Sequence, residues 1–227
     1  MSDTKVFIHV GMHKTGTTFL QEEVFPNISG INYQRKIDLT TKVEPGKINL
    51  FSDENLDGGS YRLFANPKDR YTIAYNLRQM FPTAKIIICI RDKDEWIQSA
   101  YKQYTLSYFG YTFLEYFRRM NKETLDFTTY AVYLQNLFGR DNVLVLNYQD
   151  LKNDPHAFVE LICDFIGVEV PMYEVKTTYP SLDDGQVAII VLFDKIFKSK
   201  LLHLMLSLAV RLVRNDPSIQ KWRNKKL

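Results

Sequence analysis

Cysteine is nearly absent: Cys89 and Cys163 are the only two in 227 residues, and both sit in apolar runs. That excludes a disulfide framework or a cysteine zinc pattern and leaves both thiols as small hydrophobes. Histidine is scarce too, and His9, His13, His156 and His203 show no metal-ligand spacing. A strong excess of one charge is missing. Lys and Arg number 29 against 26 Asp and Glu, a net of +3 that is too mild to imply a nucleic-acid partner. Nor is there a membrane span, which needs roughly twenty apolar residues; the longest apolar stretch of the C-terminal part, 201–210, has about ten. The first residues, Met1 to Lys5, lack the charged-then-apolar layout of a signal peptide, so a cytoplasmic protein is expected.

What is present is a foldable composition, 45% apolar and 14% aromatic. The length reads as one domain, 1–227, that buries about 70% or more of its unfolded surface without staples. Its charge is unevenly spread. From Asp194 onward there are nine Lys or Arg and two Asp, a net of +7, which leaves −4 for the first 193 residues. Residues 184–227 are therefore expected to form a basic helical extension. Its apolar positions either form an ordinary core face, lie on an anionic membrane surface, or pack against another subunit.

Hydrophobic patterning gives the order of elements. Residues 6–10, 85–90 and 142–146 are apolar almost throughout, as strands covered on both faces must be. Residues 48–52 form a shorter strand candidate. Helices are expected at 15–25, from an Asn66 N-cap with Pro67 in the first turn through 71–81, and at 94–108, 113–120 and 126–138. A further helix starts at Asp154-Pro155 and stops at Gly167, followed by 183–198 and 199–214. Strands that alternate with helices predict an α/β fold with a central parallel sheet and helices on both faces. The segment 30–62 is the least regular, and such connections often carry substrate contacts.

The sharpest motif is Gly11-Met12-His13-Lys14-Thr15-Gly16-Thr17-Thr18, between the first strand and the first helix. A glycine-bounded turn there presents backbone N–H groups to an anion. The two glycines have the spacing of a nucleotide triphosphatase loop, but Thr17 stands where its lysine belongs, and the lysine sits earlier, at Lys14. A second feature is Arg91 at a strand end with Ser99 eight residues later on the following helix. A guanidinium fork suits a terminal phosphate, and two helical turns bring the serine to the same side. A third is the strand 142–146 leading into Tyr148-Gln149-Asp150-Leu151 and Asp154-Pro155.

These three segments together resemble the sulfotransferases that use 3′-phosphoadenosine 5′-phosphosulfate (PAPS), over roughly residues 5–167. Gln149 stands where that family usually has Glu. The resemblance implies a P-loop-type three-layer sandwich. It implies that Lys14 touches the oxygen between phosphate and sulfate, with Thr15, Gly16, Thr17 and Thr18 on the 5′-phosphate and His13 beside them. Arg91 and Ser99 would take the 3′-phosphate, and Tyr148 would lie near the adenine. It further implies 3′-phosphoadenosine 5′-phosphate (PAP) as product, no metal, and a small-molecule or glycan acceptor, with carbohydrate-type bacterial members as the likeness.

A general base is needed to take the acceptor's proton. Glu54, in Ser52-Asp53-Glu54, resembles the Ser-x-Glu segment of bacterial members, although a solvated loop acid has the same appearance. Glu22, Glu23 and His13 are the alternatives, whereas Asp53 points to the opposite face of an extended segment from Glu54. The tyrosines and phenylalanines of 96–117 either pack helices on the sheet or form an acceptor wall. Two rival functions stay open: a P-loop kinase for a small molecule, and a non-catalytic nucleotide-binding module with a membrane- or partner-binding C-terminal helix.

Overall fold

The computed structural model describes residues 4–38, 40–59, 61–63, 65–108, 110–175, 182–197 and 199–215. Phe109 and the last part of the basic extension, 216–227, lie outside these. The chain groups into two compact units. The first takes residues 1–93 and 121–176, and the second takes 94–120 and 177–227.

The first unit is built on a parallel sheet. Strand β1 (Lys5–Val10) leads into a helical run that starts as α1 (Thr17–Phe19), widens into a π-turn and ends in a 3-10 turn at Pro26. Strands β2 (Asn32–Arg35) and β3 (Ile48–Asp53), helix α2 (Asp69–Met80) and strand β4 (Lys85–Ile90) follow. The chain later returns with α5 (Phe127–Phe138), β5 (Val143–Asn147), α6 (Tyr148–Asn153) and α7 (Pro155–Ile166), after α3 (Lys93–Ser107) and α4 (Phe113–Arg119). The strand order is β2-β3-β1-β4-β5, with every pairing parallel.

Both faces of this sheet are covered, which is why its inner strands have no polar face. On one face Phe7, Leu50, Ile87, Cys89 and Leu146 pack against Leu20, Val24 and Phe25 of the helical run and against α7. The buried positions of α7 (Phe158, Val159, Ile162, Cys163 and Ile166) recur at helical spacing. Its ends are fixed as the sequence indicates. Asp154 accepts from the His156 and Ala157 N–H groups, and Gly167 closes the helix in the left-handed region. On the other face α5 packs on β4 and α2 packs on α5. Here Arg70 is buried and donates to the carbonyls of Glu123, Thr124 and Asp126. Its guanidinium also lies over the Tyr71 and Tyr130 rings, so the buried charge is both hydrogen-bonded and faced by aromatic rings.

Several elements depart from the sequence expectation. Helix α2 begins at Asp69 rather than at Asn66-Pro67, and α6 is a helix where none is expected. Two further differences concern the first helix and β2. The first helix begins at Thr17 rather than Thr15, because the preceding residues fold into the loop. Strand β2 lies inside the stretch that reads as irregular. It is an edge strand paired on one side only, so its residues need not be apolar.

The second unit is helical. It contains most of α3, then α4, α8 (Asp184–Phe197) and α9 (Lys200–Asn215). Trp96, Ala100, Tyr104 and Tyr116 are buried in it. Thr112 and Glu115 form a reciprocal capping box at the start of α4. No helix among the described residues is long and apolar enough to cross a membrane.

Candidate active site

The strand order places β1 between two neighbours reached from opposite directions. The chain goes from β1 to β2 and β3 on one side and then to β4 on the other. In open α/β sheets the crevice at the carboxyl ends beside such a switch is where ligands bind. The three motif segments all leave the sheet there: loop 11–18 after β1, Arg91 after β4 and Tyr148 after β5.

The loop is tightly constrained. The Gly11 N–H donates to the Asp53 carbonyl, which ties the end of β1 to that of β3. A Cβ on Gly11 would come within 2.7 Å of Thr17 Cγ2. Met12 is buried, and its carbonyl accepts from Thr15 Oγ1 at 2.6 Å and from Thr17 Oγ1 at 3.1 Å. The protons of these two hydroxyls therefore shape the loop from inside, and Thr18 is half-buried beyond them. Lys14 and Gly16 have φ of 67° and 83°, so the chain turns through the left-handed region twice. A Cβ on Gly16 would come within 2.3 Å of Leu151 Cδ2, so any other residue would strain the left-handed turn and push the Leu151 side chain aside.

Arg91 links this loop to the start of α6. Its Nη1 donates to the Lys14 carbonyl at 2.9 Å, and its guanidinium lies 4.3 Å from the Tyr148 ring centre. Lys152 Nζ lies 5.7 Å from the same ring centre. Lys14, Arg91, Gly16 and Tyr148 thus form one connected group, an arrangement suited to an anion with an aromatic ring nearby. Ser99 lies on α3 in the second unit, where its side chain is buried.

The end of β3 adds a cluster of acids. Asp53 caps the 3-10 turn that follows, accepting from the Asn55 N–H, and its other oxygen accepts from the Ile37 N–H. It is thereby committed to the fold. His13 donates its backbone N–H to Asp57 at 3.1 Å, and its Nδ1 lies 3.1 Å from the same carboxylate. Its Nε2 is 3.7 Å from Glu54. Burial alone would lower the pKa of His13, but the hydrogen bond and charge of Asp57, helped by Glu54, outweigh it, and the pKa rises above its ordinary value. Asp57 is the residue that sequence reasoning missed. It is buried, and the only available signal was its place in the turn Asp57-Gly58-Gly59 three residues after Glu54.

The remaining candidates fall elsewhere. Glu22 pairs with Arg35 at 3.3 Å, and Glu23 is half-buried on the helical run. His9 is wholly buried, with Nδ1 2.7 Å from Ser52 Oγ, and burial lowers its pKa to about 3. It is a neutral core residue. Burial pushes the Cys89 thiol up to about 12, so it is no nucleophile. Among the described residues, no group of three or more His, Cys, Asp or Glu is placed to hold a metal ion.

The aromatic run divides in two. Tyr104 stacks on Tyr108 at 4.7 Å, and Tyr116 is fully buried. Tyr101 and Phe113 instead line a mostly apolar cavity of about 580 Å³ with Thr112, Val187 and Val191, within the second unit.

A family model described as the sulfotransferase domain matches residues 3–182. The chain belongs to the sulfotransferase family. Sulfuryl transfer is thus its chemistry, and the motif group at the carboxyl ends of β1, β4 and β5 lies inside the matched range. Solved sulfotransferases share the fold. One from Alicyclobacillus acidocaldarius is 18% identical, with a TM-score of 0.51 and 97% of each chain covered. A mouse sulfotransferase complexed with PAP is 17% identical with the same TM-score, over 84% of this chain and 64% of its own. No curated protein sequence matches the chain significantly. This sulfotransferase is an enzyme of the α/β class with a central parallel sheet, as its strand order requires.

Proposed function

We propose that this sulfotransferase moves the sulfuryl group of PAPS to a hydroxyl of a carbohydrate or glycolipid acceptor. The observation that carries the donor reading is Arg91, held between the Lys14 carbonyl and the Tyr148 ring. The group fits a nucleotide bearing several phosphates. Arg91, just after β4, meets a loop that carries Lys14 and turns twice through the left-handed region, and Tyr148 offers an aromatic ring. Lys14 and the backbone of 15–18 would hold the 5′ end, and Arg91 the 3′-phosphate. The donor, when bound, supplies an activated sulfuryl group.

The chain's own groups then do three things. Loop 11–18 orients the donor, which is where most of the rate for such transfers arises. The Lys14 ammonium offsets negative charge growing on the leaving phosphate oxygen. Glu54 takes the acceptor's proton as the new S–O bond forms and the old one breaks. Glu54 suits this role because its side chain is one-third exposed, at 32%, while Asp57 is closed off. His13, held by Asp57 with its pKa above the ordinary value, lies with Nε2 3.7 Å from the Glu54 carboxylate.

Calorimetry with PAP tests the donor assignment. Arg91→Ala removes a charge-assisted contact and is expected to weaken PAP by tenfold or more, about 1.5–3 kcal/mol. Absence of PAP binding together with magnesium-dependent ATP turnover would overturn it in favour of a kinase. Transfer of labelled sulfate across glycan, glycolipid and phenol panels tests the acceptor, and phenol-only transfer would refute the carbohydrate reading.

A further inference from the structure

The α8–α9 hairpin is inside out. In α9 the buried positions are polar, His203 and Ser207, whereas Leu201, Leu204, Met205 and Leu208 are exposed. Leu201 is 67% exposed and Met205 59%. The outer side of α8 continues the pattern with Ile189 and Ile196. Large apolar side chains at this density on a surface mark a binding site rather than chance exposure.

The polar inner side is tied down by hydrogen bonds. Asp194 is buried on α8; it accepts from His203 Nδ1 at 2.8 Å and from the Gly110 N–H at 3.0 Å. Ser207 donates to the Leu204 carbonyl. Turning α9 to bury its leucines would break the Asp194–His203 pair and leave a carboxylate exposed to apolar neighbours. The apolar side is therefore held outward.

We infer that this face docks on an anionic lipid bilayer. Charge chooses the occupant. From Asp194 onward the chain carries a net +7, with Lys195 and Lys200 among the exposed residues of the two helices. Two copies meeting through this face would bring two such charges together, whereas an anionic surface neutralises them. Length chooses the mode. At 16 residues α9 spans about 24 Å, short of the roughly 30 Å hydrocarbon core, so it lies along the interface. The inference does not depend on the identity of donor or acceptor.

Vesicle flotation of the full chain tests it, using phosphatidylcholine alone and phosphatidylcholine with about one-third phosphatidylserine. Binding is expected on the anionic vesicles only and should fall about tenfold between low and physiological salt. Leu204→Glu with Leu208→Glu, both at exposed positions, should abolish it while leaving the melting temperature and PAP affinity unchanged. Equal binding to neutral vesicles would overturn the proposal, and so would no binding to either. A dimer in solution that this double variant disperses, without vesicle binding, would assign the face to a second copy instead.

Discussion

The sheet loop and the C-terminal hairpin are both cationic, and they use charge in opposite ways. At the loop a few groups are placed to within hydrogen-bonding distance: Arg91 on the Lys14 carbonyl, and the Thr15 and Thr17 hydroxyls on Met12. The first 193 residues, which include it, have a net charge of −4. The hairpin, 184–215, has a net charge of +3 within a chain end that sums to +7 from residue 194 onward, and it carries an exposed apolar face. Position selects a particular anion, whereas bulk charge with apolar area selects a kind of surface. The difference predicts that a single substitution should matter greatly at the loop and little in the hairpin.

The largest effect is expected at Lys14. Lys14→Ala should lower kcat by about a hundredfold to a thousandfold, the usual cost of removing one preorganised charge from a transfer site. Glu54→Gln should cost a similar or smaller factor, about a hundredfold. Steady-state kinetics with saturating donor measures both. Loss in KM alone for Lys14→Ala would mean that the ammonium only binds, and the contrast with the hairpin would weaken.

Steric placement gives the next effect. Gly16→Ala puts a methyl into Leu151 at a left-handed φ, so it should destabilise the domain by about 1–3 kcal/mol and impair PAP binding. Adding Leu151→Ala should restore part of the binding, because the clash is with a side chain rather than backbone. Urea midpoints and calorimetry on the single and double variants decide the point.

Much of this arrangement is legible in the sequence because the relevant signals are local. Ile86 to Cys89 reads as a strand covered on both faces, because the run is apolar throughout, short and rich in β-branched isoleucine. Asp154, Pro155 and Gly167 mark α7 by cap chemistry alone. The loop is legible by glycine spacing and by the displaced lysine. What escapes is what only the folded chain creates. Strand β2 is polar, and Asn32 and Gln34 spend their side chains on the Lys42 carbonyl and on Asn49. The link from Asp57 to His13 joins residues 44 apart in sequence, so no spacing rule reveals it. The inward turn of the Thr15 and Thr17 hydroxyls likewise depends on where the Met12 carbonyl ends up.

Acid sensitivity sharpens the comparison within the first unit. His9 has a folded pKa lowered to about 3 by burial, so the folded state resists a proton that the unfolded chain accepts near 6.5. Its contribution is complete above about 6.5 and is lost as pH falls, by about 2 kcal/mol between pH 7 and 5. His13 has the opposite sign. Its raised pKa gives stability that is full below about 6.5 and fades as pH rises through the folded value. His9→Gln should flatten the acid limb of stability against pH, and Asp57→Asn should lower the His13 titration seen by NMR. An unchanged acid limb in His9→Gln would remove His9 from the account.

The smallest effect is expected in the hairpin, at Lys200. This residue is exposed and begins α9, so it is near the positive end of the helix dipole, where a cation gains nothing. Lys200→Gln should therefore change the unfolding free energy by less than about 0.5 kcal/mol. Its cost on anionic vesicles should be about 1 kcal/mol, or several-fold in partitioning, because each basic residue near such a surface adds roughly that much. Removing a second hairpin lysine should add a similar increment, unlike the all-or-none response expected at Lys14. A hundredfold loss of vesicle binding from Lys200→Gln alone would mean that the hairpin, like the loop, reads its partner through one placed charge.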